Sequence, residues 1–563
     1  MFRKTFVLAL LVLLRSLLAP AQERVDLNVV HKIKTEELGL DSKVMDIMYN
    51  LTDRYGPRLT NSPQFRAAGD WAVGQMKEWG LANVHLEKWE TPKDNPIPSW
   101  QVMSYNGAMV EPTYMSIIGV PVAWTAGTNG PVTADAILAT VQTPADMEKW
   151  HGKLAGKIVL MSAPPELEFP TTALGRRYTP EELTEIATDL IPNTAGGGRG
   201  GRGGPGGRFG GAAANMTPEQ MREFQQKMRS FWKDEKVIAT LSATARGQSG
   251  TLFGGGAPQR MDTSNTPQVS ITAEHYNRIA RLLEHNVPVK LMFDIKTQFD
   301  TSNTDSFNVI GEIPGTTKAN EVVMVGGHFD SWHYGTGATD NAAGSAVAME
   351  VMRILKKLNL KMDRTVRVGL WGGEEEGLLG SRAYVKGHFA DPETMKPTAE
   401  HADLAGYFNI DNGTGRIRGV YLQGNEMMRP IFESWFAAVK DLTPGAITIR
   451  NTGGTDHLSY AAVGLPGFQF IQDPMDYDTL THHSNLDVYE HIRADDMKQA
   501  AAIMASFVYN AAMRDQMIPR KPIRPSEPQP PAAESESGAE KKGEPGAPAA
   551  NPVNPSQPMP QPH

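Results

Sequence analysis

The sequence predicts an α/β fold, in which a mainly parallel central sheet is flanked by helices and accompanied by an inserted β-rich domain. From about residue 307 to 515, short apolar runs alternate with loops and amphipathic segments. Three of these runs are strand candidates: EVVMVGG at 321–327, TVRVGLWGG at 365–373 and YFNIDNG at 407–413. The segment SAVAMEVMRILKKL at 345–358 has the apolar spacing of a helix. Strands that alternate with helices are typical of parallel sheets.

The remaining segments complete the predicted domain organisation. Residues 22–124 are the N-terminal part of the main domain, helical from about 25 to 93 and strand-like from about 100 to 125. Residues 125–295 alternate short β-rich runs with turns, a different texture that indicates an inserted domain. Residues 296–517 form the larger part of the main domain. Residues 518–563 are rich in Pro, Ala and Glu and are predicted to be a disordered tail.

The N-terminus has the pattern of a secretory signal peptide over residues 1–21. Two basic residues precede an apolar run at 5–14, and the small residues Ala19 and Ala21 offer a cleavage site. The alternative is an uncleaved membrane anchor, but Arg15 interrupts an apolar run that is already shorter than the roughly 20 residues needed to span a bilayer. We therefore expect export to the periplasm or the medium, with no stable membrane insertion after cleavage.

The composition excludes several classes of function. The formal net charge of -8 gives no reason to expect a nucleic-acid partner. The run GGGRGGRGGPGGRFGG at 196–211 is of a type that can bind RNA, but in an exported acidic protein a flexible loop is the better interpretation. The chain has no cysteine, so disulfides, thiolate metal sites and cysteine nucleophiles are excluded. Any metal must be held by His, Asp and Glu.

Side chains that can bind metals come after each predicted strand of the main sheet. Singly, each has an ordinary explanation, since Asp340 could cap a helix, a Glu run is usually a solvated face, and a histidine is usually structural. Ligands of α/β sheets, however, bind at the carboxyl ends of the strands, where these residues would meet. They are His328, Asp330 and Asp340 after the first strand, Glu374, Glu375 and Glu376 after the second, Asp411 after the third, and later Asp456, His457, His482 and His483.

This inventory suits a pair of metal ions. Zinc accepts imidazole nitrogen and carboxylate oxygen, and two metals roughly 3.5–4 Å apart can share one carboxylate. Two histidines and three carboxylates would complete such a site. One more carboxylate is needed to take a proton from the attacking water, and the adjacent Glu374 and Glu375 could divide these two roles.

These motifs resemble those of the co-catalytic zinc exopeptidases, the metallopeptidase family of the aminopeptidase Y and glutamate carboxypeptidase type. The resemblance rests on GGHFDSWHYGTGATDNAAG at 326–344, LWGGEEEGLLGS at 370–381, NIDNGTG at 409–415, GGTDHLSYAAVGLPG at 453–467 and HHSNLD at 482–487. The segment from Arg54 to Leu81 is also similar to the family. The resemblance implies the zinc exopeptidase fold, and it makes the insert similar to a protease-associated domain.

The resemblance also implies a role for each site residue. His328 and Asp411 would bind one zinc, Glu375 and His483 the other, and Asp340 would bridge both. His483 is selected over His482 because the family places its last histidine four residues before an acid, here Asp487. Glu374 would be the general base, and Asp330 would orient His328. Asp456 and His457 match a segment near the substrate pocket. Two zinc ions per subunit are implied, although carboxylate-rich sites also accept Mn or Co.

The predicted function is hydrolysis of terminal peptide bonds of short peptides, with an aminopeptidase favoured. A carboxypeptidase or dipeptidase using the same metal pair is the alternative, and the family implies a possible homodimer. A glutaminyl cyclase, which uses one zinc, and a non-catalytic binding protein are weaker alternatives, because no ligand is substituted. Neither a G-x-S-x-G elbow nor an HExxH helix is present, which disfavours a serine hydrolase and a helix-borne zinc site.

Overall fold

The computed structural model describes residues 23–192 and 216–521. Within this part of the chain, the strands are β1 Ala82–Trp89, β2 Ser99–Glu111, β3 Met115–Ser116, β4 Gly119–Pro121, β5 Val132–Leu138, β6 Ile158–Leu160, β7 Ala239–Ser242, β8 Gln268–Ile271, β9 Lys290–Asp300, β10 Ser306–Ile313, β11 Lys318–His328, β12 Arg364–Trp371, β13 Ala390–Asp391, β14 Lys396–Pro397, β15 Leu404–Asn409, β16 Ile417–Tyr421, β17 Ala446–Thr448 and β18 Gly467–Gln472. The α-helices are α1 Leu27–Leu38, α2 Val44–Tyr49, α3 Pro63–Glu78, α4 Pro144–Trp150, α5 Pro180–Ala187, α6 Pro218–Asp234, α7 Ala273–Glu284, α8 Ala343–Lys357, α9 Leu379–His388, α10 Arg429–Ala437, α11 His457–Ala461 and α12 Ala494–Met513.

The first sheet has eight strands in the order β1-β10-β12-β11-β15-β18-β16-β17. Its four central strands, β12, β11, β15 and β18, are mutually parallel, whereas β1, β10 and β16 pair with neighbours in the antiparallel sense. The three strand candidates of the sequence are β12, β11 and β15, and the helix candidate is α8. The predicted α/β class with a mainly parallel core is therefore confirmed.

Helices cover both faces of this sheet. Val325 of β11 packs in a core cluster with residues of α8 and α12, whereas its neighbour Met324 packs in a second cluster with Tyr384 of α9 and Tyr460 of α11. Burial on both faces explains why the central strands read as continuous apolar runs in the sequence.

The second sheet also has eight strands, in the order β3-β2-β9-β5-β6-β7-β8-β4. Its core contains Leu291 and Phe293 of β9 together with Tyr276 and Ile279 of α7. The sheet begins earlier than the predicted insert at residue 125, because β2 pairs along most of its length with β9, for example Trp100 with Phe299. We call residues 99–300 the second-sheet region. Its likeness to a protease-associated domain stays a prediction.

Two other boundaries differ from the prediction. The segment from about 25 to 93 is not entirely helical, since β1 forms the edge of the first sheet against β10. The predicted start of the tail at 518 is too early, because Ile518 is buried in the main core and Arg520 donates to the carbonyl oxygen of Leu404 at 2.6 Å. The predicted signal peptide, the Gly-rich loop and the tail beyond Lys521 lie outside the described residues. Within those described, no helix is long and apolar enough to cross a membrane.

Candidate metal centre

The site lies where the four parallel strands of the first sheet end. His328 is the last residue of β11, Glu374 and Glu375 come after β12, Asp411 after β15, and His483 after β18. Parallel strands bring their carboxyl ends to one edge of a sheet, so residues more than 150 positions apart in sequence meet there. Asp340 reaches the same place on the kinked turn Ala338–Ala342, which leads into α8.

One group of potential metal ligands consists of His328, Asp340 and Asp411. The Nε2 atom of His328 lies 3.1 Å from Oδ1 of Asp340 and 3.8 Å from Oδ2 of Asp411. One ligand atom from each residue lies within 4.8 Å of the others. All three residues are buried, and the His328 side chain is only 1% exposed.

A second group lies on the other side of Asp340. The Nε2 atom of His483 is 3.2 Å from Oδ2 of Asp340 and 2.9 Å from Oε2 of Glu375. His482 also approaches this group, with Nε2 at 3.8 Å from the same oxygen of Asp340. His483 thus lies nearer the shared carboxylate than His482, and it alone of the two makes an ion-pair contact with Glu375 among the described residues.

The two groups share Asp340, one of whose carboxylate oxygens faces each group. Oδ2 of Asp340 and Oε1 of Glu375 are buried and accept no hydrogen bond from the described residues. Buried carboxylate oxygens normally have a partner, and a cation satisfies them as well as a donor does. Imidazole nitrogens and carboxylate oxygens are the ligand types that zinc accepts in sites without cysteine. The residues present therefore fit a zinc centre.

Asp330 connects the segments that carry the two groups. Its carboxylate accepts hydrogen bonds from the backbone N–H groups of Glu374 at 3.1 Å and Glu375 at 3.2 Å, and from the hydroxyl of Thr60 at 3.1 Å. Its Oδ1 lies 3.7 Å from Nδ1 of His328, whereas its backbone carbonyl oxygen is closer, at 3.1 Å. Both the carbonyl and the carboxylate of Asp330 thus face the imidazole, and the carboxylate also fixes the turn that presents Glu374.

A buried arginine holds the loop between His328 and Asp340. Arg58 donates to the carbonyl oxygens of Phe329 at 2.7 Å and Gly337 at 2.9 Å. Gly337 has φ 67°, and a Cβ there would lie 2.3 Å from the side chain of Ser331. The loop therefore needs glycine at this position both for its left-handed backbone and for the close approach of Ser331.

Asp487 supports the same loop from the opposite side. Its carboxylate accepts hydrogen bonds from the backbone N–H groups of Thr339 at 2.5 Å and Asp340 at 3.3 Å. The acid that selected His483 in the sequence therefore contacts the backbone of Asp340 directly. Asp487 thus fixes the backbone that carries the shared carboxylate, and it is not a member of either group of potential metal ligands.

The centre carries more negative charge than its two histidines offset. Burial lowers the pKa of His328, but the charges of Glu374 and Asp411 outweigh burial and raise this pKa well above its ordinary value. Burial also lowers the pKa of His483, which Glu375 and Asp340 nevertheless raise to about 10. Burial is the main cause that raises the pKa of Glu375 to about 7, with Asp340 adding to it. Such mutual repulsion of buried carboxylates favours a bound cation.

The other sequence candidates lie around the centre rather than within it. Asp456 is fully buried, and its carboxylate oxygens accept no hydrogen bond from the described residues. Burial raises the pKa of Asp456 to about 7, and the charge of Asp411 adds to this effect. His457 instead points to the carbonyl oxygen of Thr452, 3.1 Å from its Nε2, and burial lowers its pKa to about 4.

Sequence reasoning missed two supporting residues, Arg58 and Thr60. Both lie in the N-terminal segment that is similar to the family, but their partners are about 270 positions away. Spacing along the chain could not pair them with the loop. The only available signal was the segment RYGPRLT itself, which carries two arginines and a proline.

Comparison with known proteins agrees with this architecture. Residues 308–508 match the family described as Peptidase family M28. Carboxypeptidase Q of Mus musculus is 26% identical over 475 residues, which cover 84% of this chain and 86% of that protein. Aminopeptidase YwaD of Bacillus subtilis is 28% identical over 222 residues, covering 38% of this chain and 47% of that protein.

Solved structures share the fold. The crystal structure of a Peptidase M28 precursor from Shewanella amazonensis has a TM-score of 0.60 at 22% identity, covering 89% of this chain and 99% of that one. BSAP, a zinc aminopeptidase from Bacillus subtilis, has a TM-score of 0.51 at 18% identity, covering 84% and 94%. Together with the site, these similarities define the protein as a metallo-exopeptidase. The match to Peptidase family M28 covers residues 308–508, the part of the chain that carries all the proposed metal ligands.

Proposed function

We propose that this protein is an exported di-zinc aminopeptidase that removes residues from the N-terminus of short peptides. The observation that carries the two-metal assignment is the position of Asp340, whose two oxygens face separate groups, each with one histidine and one further carboxylate. His328 and Asp411 would hold one zinc, and His483 and Glu375 the other.

When bound, the metal pair supplies Lewis acidity to the scissile carbonyl and to the attacking water. Glu374 accepts the proton of that water and returns it to the leaving amine. Asp330 holds the backbone of Glu374 through a hydrogen bond. Burial raises the pKa of Glu374 well above its ordinary value; the charge of His328 lowers this pKa, but the charges of neighbouring acids raise it further. A raised pKa suits a group that must both take up and release a proton near neutrality.

The charge around the centre supports the choice of the N-terminus. Asp456 is fully buried near Glu374 and Asp411, and its carboxylate makes no hydrogen bond with the described residues. A protonated α-amino group is the part of a peptide that would relieve such an excess of carboxylates. We assign Asp456 to the recognition of that group, either directly or through water.

A carboxypeptidase or dipeptidase is the second candidate, and Arg260 favours it. Its guanidinium lies 5.0 Å from the centre of the Trp124 ring, and its Nε is buried without a hydrogen-bond partner among the described residues. Burial lowers the pKa of Arg260, and the negative charge of Glu376, which is next to the proposed ligand Glu375, opposes this effect. A guanidinium binds a terminal carboxylate well. The similarity to carboxypeptidase Q, which extends over 84% of the chain, also supports this candidate.

A panel of dipeptides and tripeptides separates the two. Each peptide is presented free, N-acetylated and C-amidated, with zinc and then with a chelator. An aminopeptidase cleaves the free and amidated forms but not the acetylated ones. A carboxypeptidase cleaves the free and acetylated forms but not the amidated ones, and a dipeptidase needs both ends free. If the zinc-loaded protein cleaves nothing, the proposed function is wrong, and cyclisation of N-terminal glutamine should then be assayed.

The substitution Glu374→Gln tests the proposed base. It keeps the shape of the side chain but removes the proton acceptor, so we expect kcat to fall by about 10²–10⁴-fold. Zinc content should stay unchanged, because Glu374 is not assigned as a ligand. Glu376→Gln is the matched control, since it removes the adjacent carboxylate, and it should keep most of the activity. Near-normal turnover by Glu374→Gln would show that another group is the base.

Export is the remaining part of the proposal, and it is supported by the basic and apolar pattern of residues 1–21. Expression with the complete N-terminus should yield an exported protein that begins near Gln22. N-terminal sequencing of the exported fraction measures this, and an intact Met1 on a membrane-bound product would indicate an anchor instead.

A further inference from the structure

The two histidines of the centre are held in different ways. His328 ends a central strand, and its side chain is 1% exposed, whereas the side chain of His483 is 32% exposed. His483 also has φ 62°, a left-handed conformation that is uncommon for a residue with a side chain. The first sheet alone therefore does not account for the position of His483, and its backbone must be fixed by contacts from elsewhere.

Those contacts come from the second-sheet region. The backbone N–H of Gly254 donates to the carbonyl oxygen of His483 at 3.2 Å. Asn485, two residues further on, makes a two-way bridge to the same segment: its Oδ1 accepts from the N–H of Leu252 at 2.7 Å, and its Nδ2 donates to the carbonyl oxygen of Gly250 at 3.3 Å. Its own N–H donates to the carbonyl oxygen of Leu252 at 3.1 Å.

Arg246 contacts the other end of the histidine segment. Its guanidinium donates to the carbonyl oxygens of Asp478 at 2.8 Å and His482 at 3.4 Å, and it stacks over the ring of Phe253, 4.1 Å from the ring centre. The chain on both sides of His483 is thus hydrogen-bonded to residues 246–254. These residues belong to the second-sheet region, which contributes none of the proposed metal ligands.

We infer that segment 246–254 positions His483 for metal binding and that Asn485 is the main positioning residue. This inference rests on the proposed assignment of His483 as a ligand. Its consequence is that the two halves of the centre differ: the backbone around His483 is hydrogen-bonded to the second-sheet region, whereas His328 and Asp411 lie at the ends of β11 and β15 of the first sheet. Loosening Asn485 should therefore weaken one metal and not the other.

The test is a zinc titration of Asn485→Ala in competition with a chromophoric chelator. Residues that orient a metal-bound histidine typically contribute about 10–100-fold to affinity. We expect the variant to bind one of the two zinc ions with an affinity lower by such a factor, and the other with the affinity of the parent. The pH profile of the residual activity at saturating zinc should be unchanged, because no proton-transfer group is altered.

Asn265→Ala is the matched control. Asn265 makes the same pair of side-chain bonds, accepting from the N–H of Ala126 at 2.8 Å and donating to the carbonyl oxygen of Trp124 at 2.9 Å. Neither Asn265 nor these partners belong to the His483 segment or to residues 246–254. It should bind both zinc ions like the parent. If Asn485→Ala does not fold, Arg246→Ala serves in its place, with the same selective loss expected.

Equal zinc affinities in Asn485→Ala and the parent would overturn the inference, as would an equal loss at both sites or the same loss in Asn265→Ala. These outcomes differ from a failure of the proposed function. If the parent itself binds no zinc, the metal centre is wrong, whereas a parent with two zinc ions and an unaffected variant contradicts only the positioning role.

Discussion

The two sheets of this molecule have the same number of strands, yet only the first has potential metal ligands gathered at its edge in the described residues. Each has eight strands, and each contains four neighbouring parallel strands: β12, β11, β15 and β18 in the first sheet, and β5, β6, β7 and β8 in the second. In the described residues, both groups of side chains able to hold a metal involve Asp340 and lie at the first sheet.

The difference between the sheets lies in the residues that succeed their strands. In the first sheet an Asp or Glu lies within the four residues that follow each parallel strand, whereas in the second sheet only β8 is followed so closely by His, Asp or Glu, namely Glu274 and His275. A parallel sheet supplies an edge at which several loops meet, but the side chains of those loops decide whether a site forms there. The second-sheet region contacts the centre from outside, through the His483 segment and through the loop that follows His328.

Removing the shared carboxylate should have the largest effect of any single substitution. Asp340→Asn keeps the size of the side chain but loses its charge, so one half of the centre loses its ligand oxygen and the other keeps only a neutral amide oxygen. We expect the variant to retain neither the zinc content nor the activity of the parent. Zinc content after gel filtration, measured by plasma mass spectrometry, checks this.

The corresponding position of the second sheet provides the control. Ser162 lies just beyond the end of β6, and Ser162→Ala should leave zinc content and kcat unchanged. An Asp340→Asn variant that still binds two zinc ions would show that this carboxylate is not shared, and the contrast between the two sheet edges would then be weaker than the geometry indicates.

The sequence was sufficient for the main sheet and most of the centre, and the reasons are physical. Strands β11, β12 and β15 are buried on both faces, so they appear as apolar runs, and the polar residues just beyond them stand out. Strand β1 was missed because its residues are mostly polar or partly exposed, as expected for an edge. The bonds of Arg58 and Asn485 were not predictable, since both residues act on backbone groups far away in the sequence.

A buried acidic cluster away from the metal centre sharpens the comparison, and its substitution should show the smallest effect. Glu37 is fully buried beside Glu350 and Arg353 at the contact between α1 and α8. Burial, followed by the charge of Glu350, raises the Glu37 pKa from 4.5 to about 10. A raised folded-state pKa means that the contribution of Glu37 to stability is fully present below about pH 4.5 and is lost progressively as the pH rises towards 10.

The substitution Glu37→Gln removes this titration while keeping an oxygen that accepts the hydrogen bond of Ser42. Relative to the parent, the free energy of unfolding of the variant should rise by about 1 kcal/mol or more between pH 5 and pH 9. Urea unfolding at several pH values measures the difference, and kcat should not change. A difference that is independent of pH would show that Glu37 is already ionised in the folded protein.

Anomalous diffraction at the zinc edge, from crystals grown with zinc, tests the central claim most directly. We expect two peaks on opposite sides of Asp340, one against His328 and Asp411 and the other against His483 and Glu375. A single peak, or a second metal bound without Asp340, would contradict the two-metal centre and with it the mechanism proposed for this enzyme.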